Sequence, residues 1–111
     1  MAEDAAGDRS CDGALVRVFA LLGKRWNGVI IGTLAAGPAG FAELRRAIGG
    51  ISDSMLSDRL TELTSAGLVL REVRDGPPLA VSYRLSDRGA ALLPALDELA
   101  RWAANHLPTD C

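Results

Sequence analysis

Few side chains in this sequence are suited to covalent chemistry, and they are not grouped for it. The single histidine, His106, lies near the C-terminus, and the two cysteines, Cys11 and Cys111, stand at opposite ends of the chain. No CxxC or Cys/His spacing of the kind that holds a metal is present, and no Ser, His and Asp set stands ready to activate a nucleophile. Gly23, Gly28 and Gly32 do not make the turn of a nucleotide loop. An enzyme is not expected, nor a metal or a cofactor. What the sequence supplies is arginine and serine. Arg45 and Arg46 are adjacent, Ser52, Ser54, Ser57 and Arg59 follow closely, and Arg74 and Arg84 lie further on. Guanidinium forks and hydroxyls bind phosphate oxygens and base edges. The chemistry expected is recognition.

The chain is 111 residues long, 49% hydrophobic, 23% charged and 5% aromatic. That length fits one compact domain burying about two-thirds of the surface its unfolded chain exposes. The composition is too apolar for a disordered chain and too poor in cysteine for a disulfide scaffold. No apolar stretch reaches the roughly 18 residues of a membrane span, because Lys24-Arg25, Gly32 and Gly37-Pro38 interrupt the best stretch. The acidic N-terminus, MAEDAAGDRS, has neither the basic nor the apolar region of a signal peptide, so a cytoplasmic protein is expected. A lone cysteine pair is no disulfide framework in that compartment.

The net charge of −2 argues at first against a nucleic-acid partner, but it is unevenly spread. Residues 1–12 carry −3, residues 89–111 carry −2, Arg17 adds +1, and residues 24–88 carry +2. Eight of the nine bases in that middle stretch are arginine. The charge therefore does not exclude DNA, and it points to a salt-sensitive binder with few phosphate contacts.

The elements that must position these residues follow from periodicity. Leu15, Val18, Phe19 and Leu22 recur at helical spacing, predicting a first helix that ends near Gly23. Trp26, Val29, Ile30, Ile31 and Leu34 predict a very apolar second helix stopped by Gly37-Pro38. Residues 41–48 predict a short third helix that buries Phe41, Leu44 and Ile48 and turns Arg45 and Arg46 outward. Ser52 is the expected N-cap of a fourth helix over Asp53–Ala66, with Leu56, Leu60 and Leu63 on one face and Gly67 at its end. The period then changes. Residues 68–73 and 81–85 read as two strands joined through Asp75-Gly76-Pro77-Pro78, a hairpin with a tip of about seven residues. Ser86 is expected to cap a last long helix carrying Leu92, Leu93, Leu96, Leu99 and Trp102, in which Pro94 marks a kink or a late start.

The expected fold is mostly α with a small β-hairpin. A disordered acidic tail is expected over residues 1–12, one domain over 13–107, and a frayed end over 108–111. The third and fourth helices, about four residues apart, have the spacing of a helix-turn-helix. The hairpin that follows is a wing, and the combination is a winged helix.

An ordered set of residues goes beyond topology. Cys11, Leu22-Gly23-Lys24-Arg25-Trp26, Phe41-Ala42-Glu43-Leu44-Arg45-Arg46, Gly50-Ile51-Ser52 and Met55-Leu56-Ser57-Asp58-Arg59-Leu60 come first. Leu63, Gly67-Leu68-Val69, Pro77-Pro78, Val81-x-Tyr83-x-Leu85 and Asp87-Arg88-Gly89 follow. Together they resemble the HxlR family of bacterial winged helix-turn-helix transcriptional regulators, related to the MarR group. The resemblance runs from Cys11 to about His106. It implies a homodimer joined through its first and last helices, with two recognition helices on a pseudo-palindromic operator in double-stranded DNA, most simply as a repressor. It also implies that some members respond to oxidants or electrophiles through the cysteine aligned with Cys11, and others to small molecules. A winged helix that binds proteins rather than DNA is the alternative.

On that reading the outward face of the fourth helix shows Ser54, Met55, Ser57, Asp58 and Arg59 to bases and phosphates, with Met55 suited to a thymine methyl. A plain solvated face, with Asp58 and Glu62 bonded to neighbouring turns, is the other reading. Arg45, Arg46 and Ser52 are expected at phosphates, and Arg74 and Arg84 at the wing, unless Arg84 pairs with Glu72. Lys24 and Arg25, at a helix start where cations are unfavourable, hint at an outside partner. Phe19, Trp26, Leu96, Leu99 and Trp102 are expected in the core or around a ligand pocket at the dimer interface. Three departures from the family pattern stand out: Asp53-Ser54 in place of Pro and a base, Leu79-Ala80 after the prolines, and Cys11-Asp12-Gly13 in place of Cys-Pro.

Overall fold

The computed structural model describes residue 10 and residues 12–77 and 80–109. Most of the expected tail, Cys11, the wing-tip residues Pro78 and Leu79, and Cys111 lie outside the described residues. Among the described residues, six α-helices and one hairpin follow in the order α1 (Gly13–Leu22), α2 (Asn27–Thr33), α3 (Phe41–Ile48), α4 (Asp53–Ser65), β1 (Val69–Arg74), β2 (Ala80–Leu85), α5 (Asp87–Ala90) and α6 (Leu93–His106). This is a winged helix-turn-helix.

Asp12, counted with the tail, is the N-cap of α1: its carboxylate accepts from the amides of Ala14 at 2.9 Å and Leu15 at 3.2 Å. α2 is shorter than its apolar run, closing in a 3-10 turn over Leu34–Ala36 before Gly37. α3 keeps the expected bounds and α4 ends one residue early, at Ser65 with Ala66 as its C-cap, while Ser52 Oγ accepts from the Met55 amide at 3.1 Å. α4 ends as the glycine rule requires. Gly67 takes φ +80, and its amide and that of Leu68 bond back to the carbonyls of Thr64 and Leu63.

Ile30, Ile31, Leu34, Leu44, Ile51, Leu56, Leu60, Leu63, Leu68 and Val69 form the buried core, against which Phe41, Ile48, Tyr83 and Leu85 pack. Each face of the helix-turn-helix thus has its sequence stripe turned inward.

The hairpin pairs Val69 with Leu85 and Arg74 with Ala80, so its loop is shorter than expected. It also gains a partner with no periodic signal. Ala39 and Tyr83 exchange backbone hydrogen bonds of 2.9 and 2.8 Å, adding a one-residue third strand from the α2–α3 connection. Ser86 caps the short α5, not the long helix. The long helix begins afresh at Leu93 with Pro94 in its first turn, where the missing amide costs nothing. Of the two readings of Pro94, the late start holds.

α5 exists because the chain must turn close to β1. Ser86 Oγ donates to the Gly67 carbonyl at 2.6 Å and accepts from the Gly89 amide at 3.1 Å. Gly89 is buried so tightly that a Cβ there would collide with the Leu68 carbonyl. Gly89→Ala is therefore expected to destabilise the fold by about 1–3 kcal/mol, the usual cost of overpacking, read as a lowered denaturation midpoint in urea.

Candidate nucleic-acid interface

With Leu56, Leu60 and Leu63 buried, the remaining face of α4 has no choice of direction. Ser54, Met55, Ser57 and Asp58 are exposed together along its N-terminal half, beside the Ser52 cap. Met55, 39% exposed, presents a large apolar side chain to solvent among polar ones. Arg45 and Arg46 stand on α3 across the turn, also exposed.

The arginines expected at this surface divide into two groups. Arg45 Nε lies 3.3 Å from an Asp53 carboxylate oxygen, so the acid standing where the family often has proline holds a neighbouring base. Arg59 turns back along the helix to Glu62 at 3.4 Å, and its Nε is buried with no partner among the described residues. Arg84 pairs with Glu72 at 2.8 Å across the hairpin. Arg46 and Arg74 form no ion pair among the described residues and point to solvent.

Lys24 and Arg25 find partners inside the chain, against the expectation of an outside one. Arg25 lies over the Trp26 ring, 4.5 Å from its centre. Lys24 Nζ donates to Glu62 at 2.9 Å. The buried Asn27 donates to the Leu21 carbonyl at 2.9 Å and to Glu62 at 3.4 Å. Glu62 thereby ties the α1–α2 junction to α4. Hydrogen bonding from Lys24 leads in holding its carboxyl below the usual glutamate range, against the opposing effect of burial; Asn27 and the charges of Lys24 and Arg59 act in the same direction as the Lys24 bond.

The apolar residues divide too. Leu15, Phe19, Leu22, Leu96, Leu99 and Trp102 line a groove between α1 and α6. Phe19 and Trp102 are each 54% exposed in the single chain, and Leu99 48%. Trp102 is therefore not core, while Trp26 packs against the core and takes no part in the groove.

Sequence reading passed over Arg71. The register sets it opposite Tyr83, and with Ser57 and Thr61 it lines a second groove between α4 and the hairpin. Its signal was strand alternation: Val69, Arg71 and Val73 share a face with Leu85, Tyr83 and Val81.

The sequence model of the HxlR-like helix-turn-helix family matches residues 21–111. The chain belongs to the HxlR family. Among relatives of this HxlR member, the HTH-type transcriptional regulator YodB of Bacillus subtilis is 45% identical over 85 residues, which are 77% of this chain and 76% of YodB. The reduced form of YodB superposes with a TM-score of 0.79 at 39% identity, covering 91% of this chain and all of the other. The redox regulator HypR, in its oxidised form, gives a TM-score of 0.81 at 28% identity over 86% of this chain and 99% of its own. A MarR-family regulator from Porphyromonas gingivalis gives 0.81 at 30% identity, covering 94% and 100%. No helix among the described residues is long and apolar enough to cross a membrane.

The lowered Glu62 carboxyl has a signed consequence. Its contribution to stability is present above the ordinary glutamate value of about 4.3 and is lost as pH falls through the lower folded value. Glu62→Gln is expected to cost about 1 kcal/mol at pH 7, the upper range for a partly exposed pair. The gap from the wild type should narrow as pH falls below the ordinary glutamate range, measured by urea denaturation at neutral and at acid pH.

Proposed function

We propose that this HxlR member is a homodimeric, sequence-specific DNA-binding regulator of transcription, acting as a repressor on a pseudo-palindromic operator in double-stranded DNA. The observation that carries the reading is the outward half of α4, where Ser54, Met55, Ser57 and Asp58 are exposed together because three leucines hold the opposite face. Hydroxyls suit bases or phosphates, Met55 a thymine methyl, and Asp58 a cytosine amino group. Arg46 and the Ser52 cap take phosphates beside the helix, and Arg74 reaches toward the minor groove. Arg45, Arg59 and Arg84 come to DNA only by exchanging a carboxylate for a phosphate or base.

The α1–α6 groove supports the dimer. A contiguous apolar surface of this kind marks an association site, and a twofold dimer sets two recognition helices on two half-sites. The relation to the redox regulator HypR supports an oxidant, electrophile or other small-molecule effector acting through Cys11, which lies outside the described residues. The protein acts in the cytoplasm and on the nucleoid when bound.

Titration on the DNA upstream of its own gene at two salt concentrations tests the core of this reading. Affinity is expected to fall steeply with salt, as it does when phosphate contacts release counterions. Leu99→Asp is expected to give monomers by light scattering and to weaken binding by tenfold or more. Loss of all binding to genomic fragments would instead favour a protein-interaction module. For the effector, Cys11→Ser is expected to abolish release from DNA by diamide or a quinone while leaving affinity in reductant unchanged.

A further inference from the structure

Between α4 and the hairpin runs an open groove of about 410 Å³, walled by Ser57, Thr61, Thr64, Ser65, Arg71 and Tyr83. Five hydroxyls and one guanidinium line it, and no carboxylate does. Arg71 forms no ion pair among the described residues, whereas Arg45, Arg59 and Arg84 are each held by an acid. A cation among hydroxyls, with no anion of its own, is a seat for an anionic oxygen cluster. The seat is firmly built on one side: Tyr83, opposite Arg71 in the register, exchanges both of its backbone hydrogen bonds with Ala39.

The place of the groove says which anion. A recognition helix in the major groove and a wing at the adjacent minor groove straddle the one sugar–phosphate strand that separates them. The space between helix and wing is where that strand must pass. We infer that this groove clasps the phosphodiester backbone between the two contacted grooves, with Arg71 as its positioning residue and the hydroxyls of Ser57 and Thr61 as its neutral donors. The inference rests on the DNA-binding reading above and adds a contact to it. Such a contact fixes register and carries no base preference of its own.

The test compares the wild-type protein with Arg71→Gln on its upstream DNA across a salt series. The variant is expected to bind about tenfold more weakly at low salt, the effect of losing one hydrogen bond to a charged group. Its slope of log affinity against log salt should fall by about 0.9, with the ranking of operator variants unchanged. Arg71→Lys should restore the slope. One neutral methylphosphonate at the straddled linkage should weaken the wild type and leave Arg71→Gln unaffected. Thr61→Val, which keeps shape and fold, should lose affinity with the slope retained.

Wild-type affinity and slope in Arg71→Gln, beside a wild type that binds, would overturn this inference alone. A changed operator ranking would make Arg71 a base reader and overturn it too. Stabilisation of the wild type, but not of Arg71→Gln, by inorganic phosphate without any effect of Arg71 on DNA binding would assign the groove to a free anion. A wild type that binds no DNA would overturn both readings.

Discussion

Three leucines on one face of α4 govern what the rest of the molecule presents. Leu56, Leu60 and Leu63 are buried against Ile30, Ile31 and Leu44, and exposing any of them would forfeit about 1.5–3 kcal/mol of burial. A rotation of α4 that changed its outer residues would have to expose that stripe. The direction of Ser54, Met55, Ser57 and Asp58 is thus set from the inside. The same constraint reaches α3, whose Leu44 belongs to that core, and therefore the pair Arg45 and Arg46 on its outer side.

The second theme is how the chain handles positive charge. A surface proposed to face DNA, on a chain with a net charge of −2, must keep its bases from collapsing onto its acids, and here it does so selectively. Asp53 holds Arg45, Glu62 holds Lys24 and Arg59, and Glu72 holds Arg84. Exposed pairs of this kind are weak in water, so they hold side chains in place without locking them. Arg46, Arg71 and Arg74 are left outside these pairs, which concentrates the available charge around α4 and the wing.

Much of this was legible in the sequence because it is local. The stripe in α4, the Ser52 cap, Gly67 and the alternation of the hairpin each have a short period or a fixed offset. Long-range partnerships have neither. Lys24 and Glu62 are 38 residues apart, and nothing in either segment announces the other, so Lys24 reads as a misplaced cation. Ala39 pairs with Tyr83 through backbone alone, which leaves no mark on side-chain type. Trp26 and Trp102 stand at similar positions in apolar runs, yet one packs on the core and the other lies open, because burial depends on which helix crosses which. The start of α6 was ambiguous for a local reason: proline is equally at home in a first turn and at a kink.

The bond pair between Ala39 and Tyr83 has a mechanical meaning. It welds the hairpin to the connection leading into α3, while the α4–β1 turn welds it from the other side through Gly67 and Ser86. Helix-turn-helix and the base of the wing are then tied at two points into one head. In the dimer proposed for this chain, a signal arriving at α1 or α6 meets a helix-turn-helix and wing base that are tied to move together. The response that leaves those ties intact is to tilt or separate the two heads, so the quantity under control would be the spacing between half-sites rather than the fit within each.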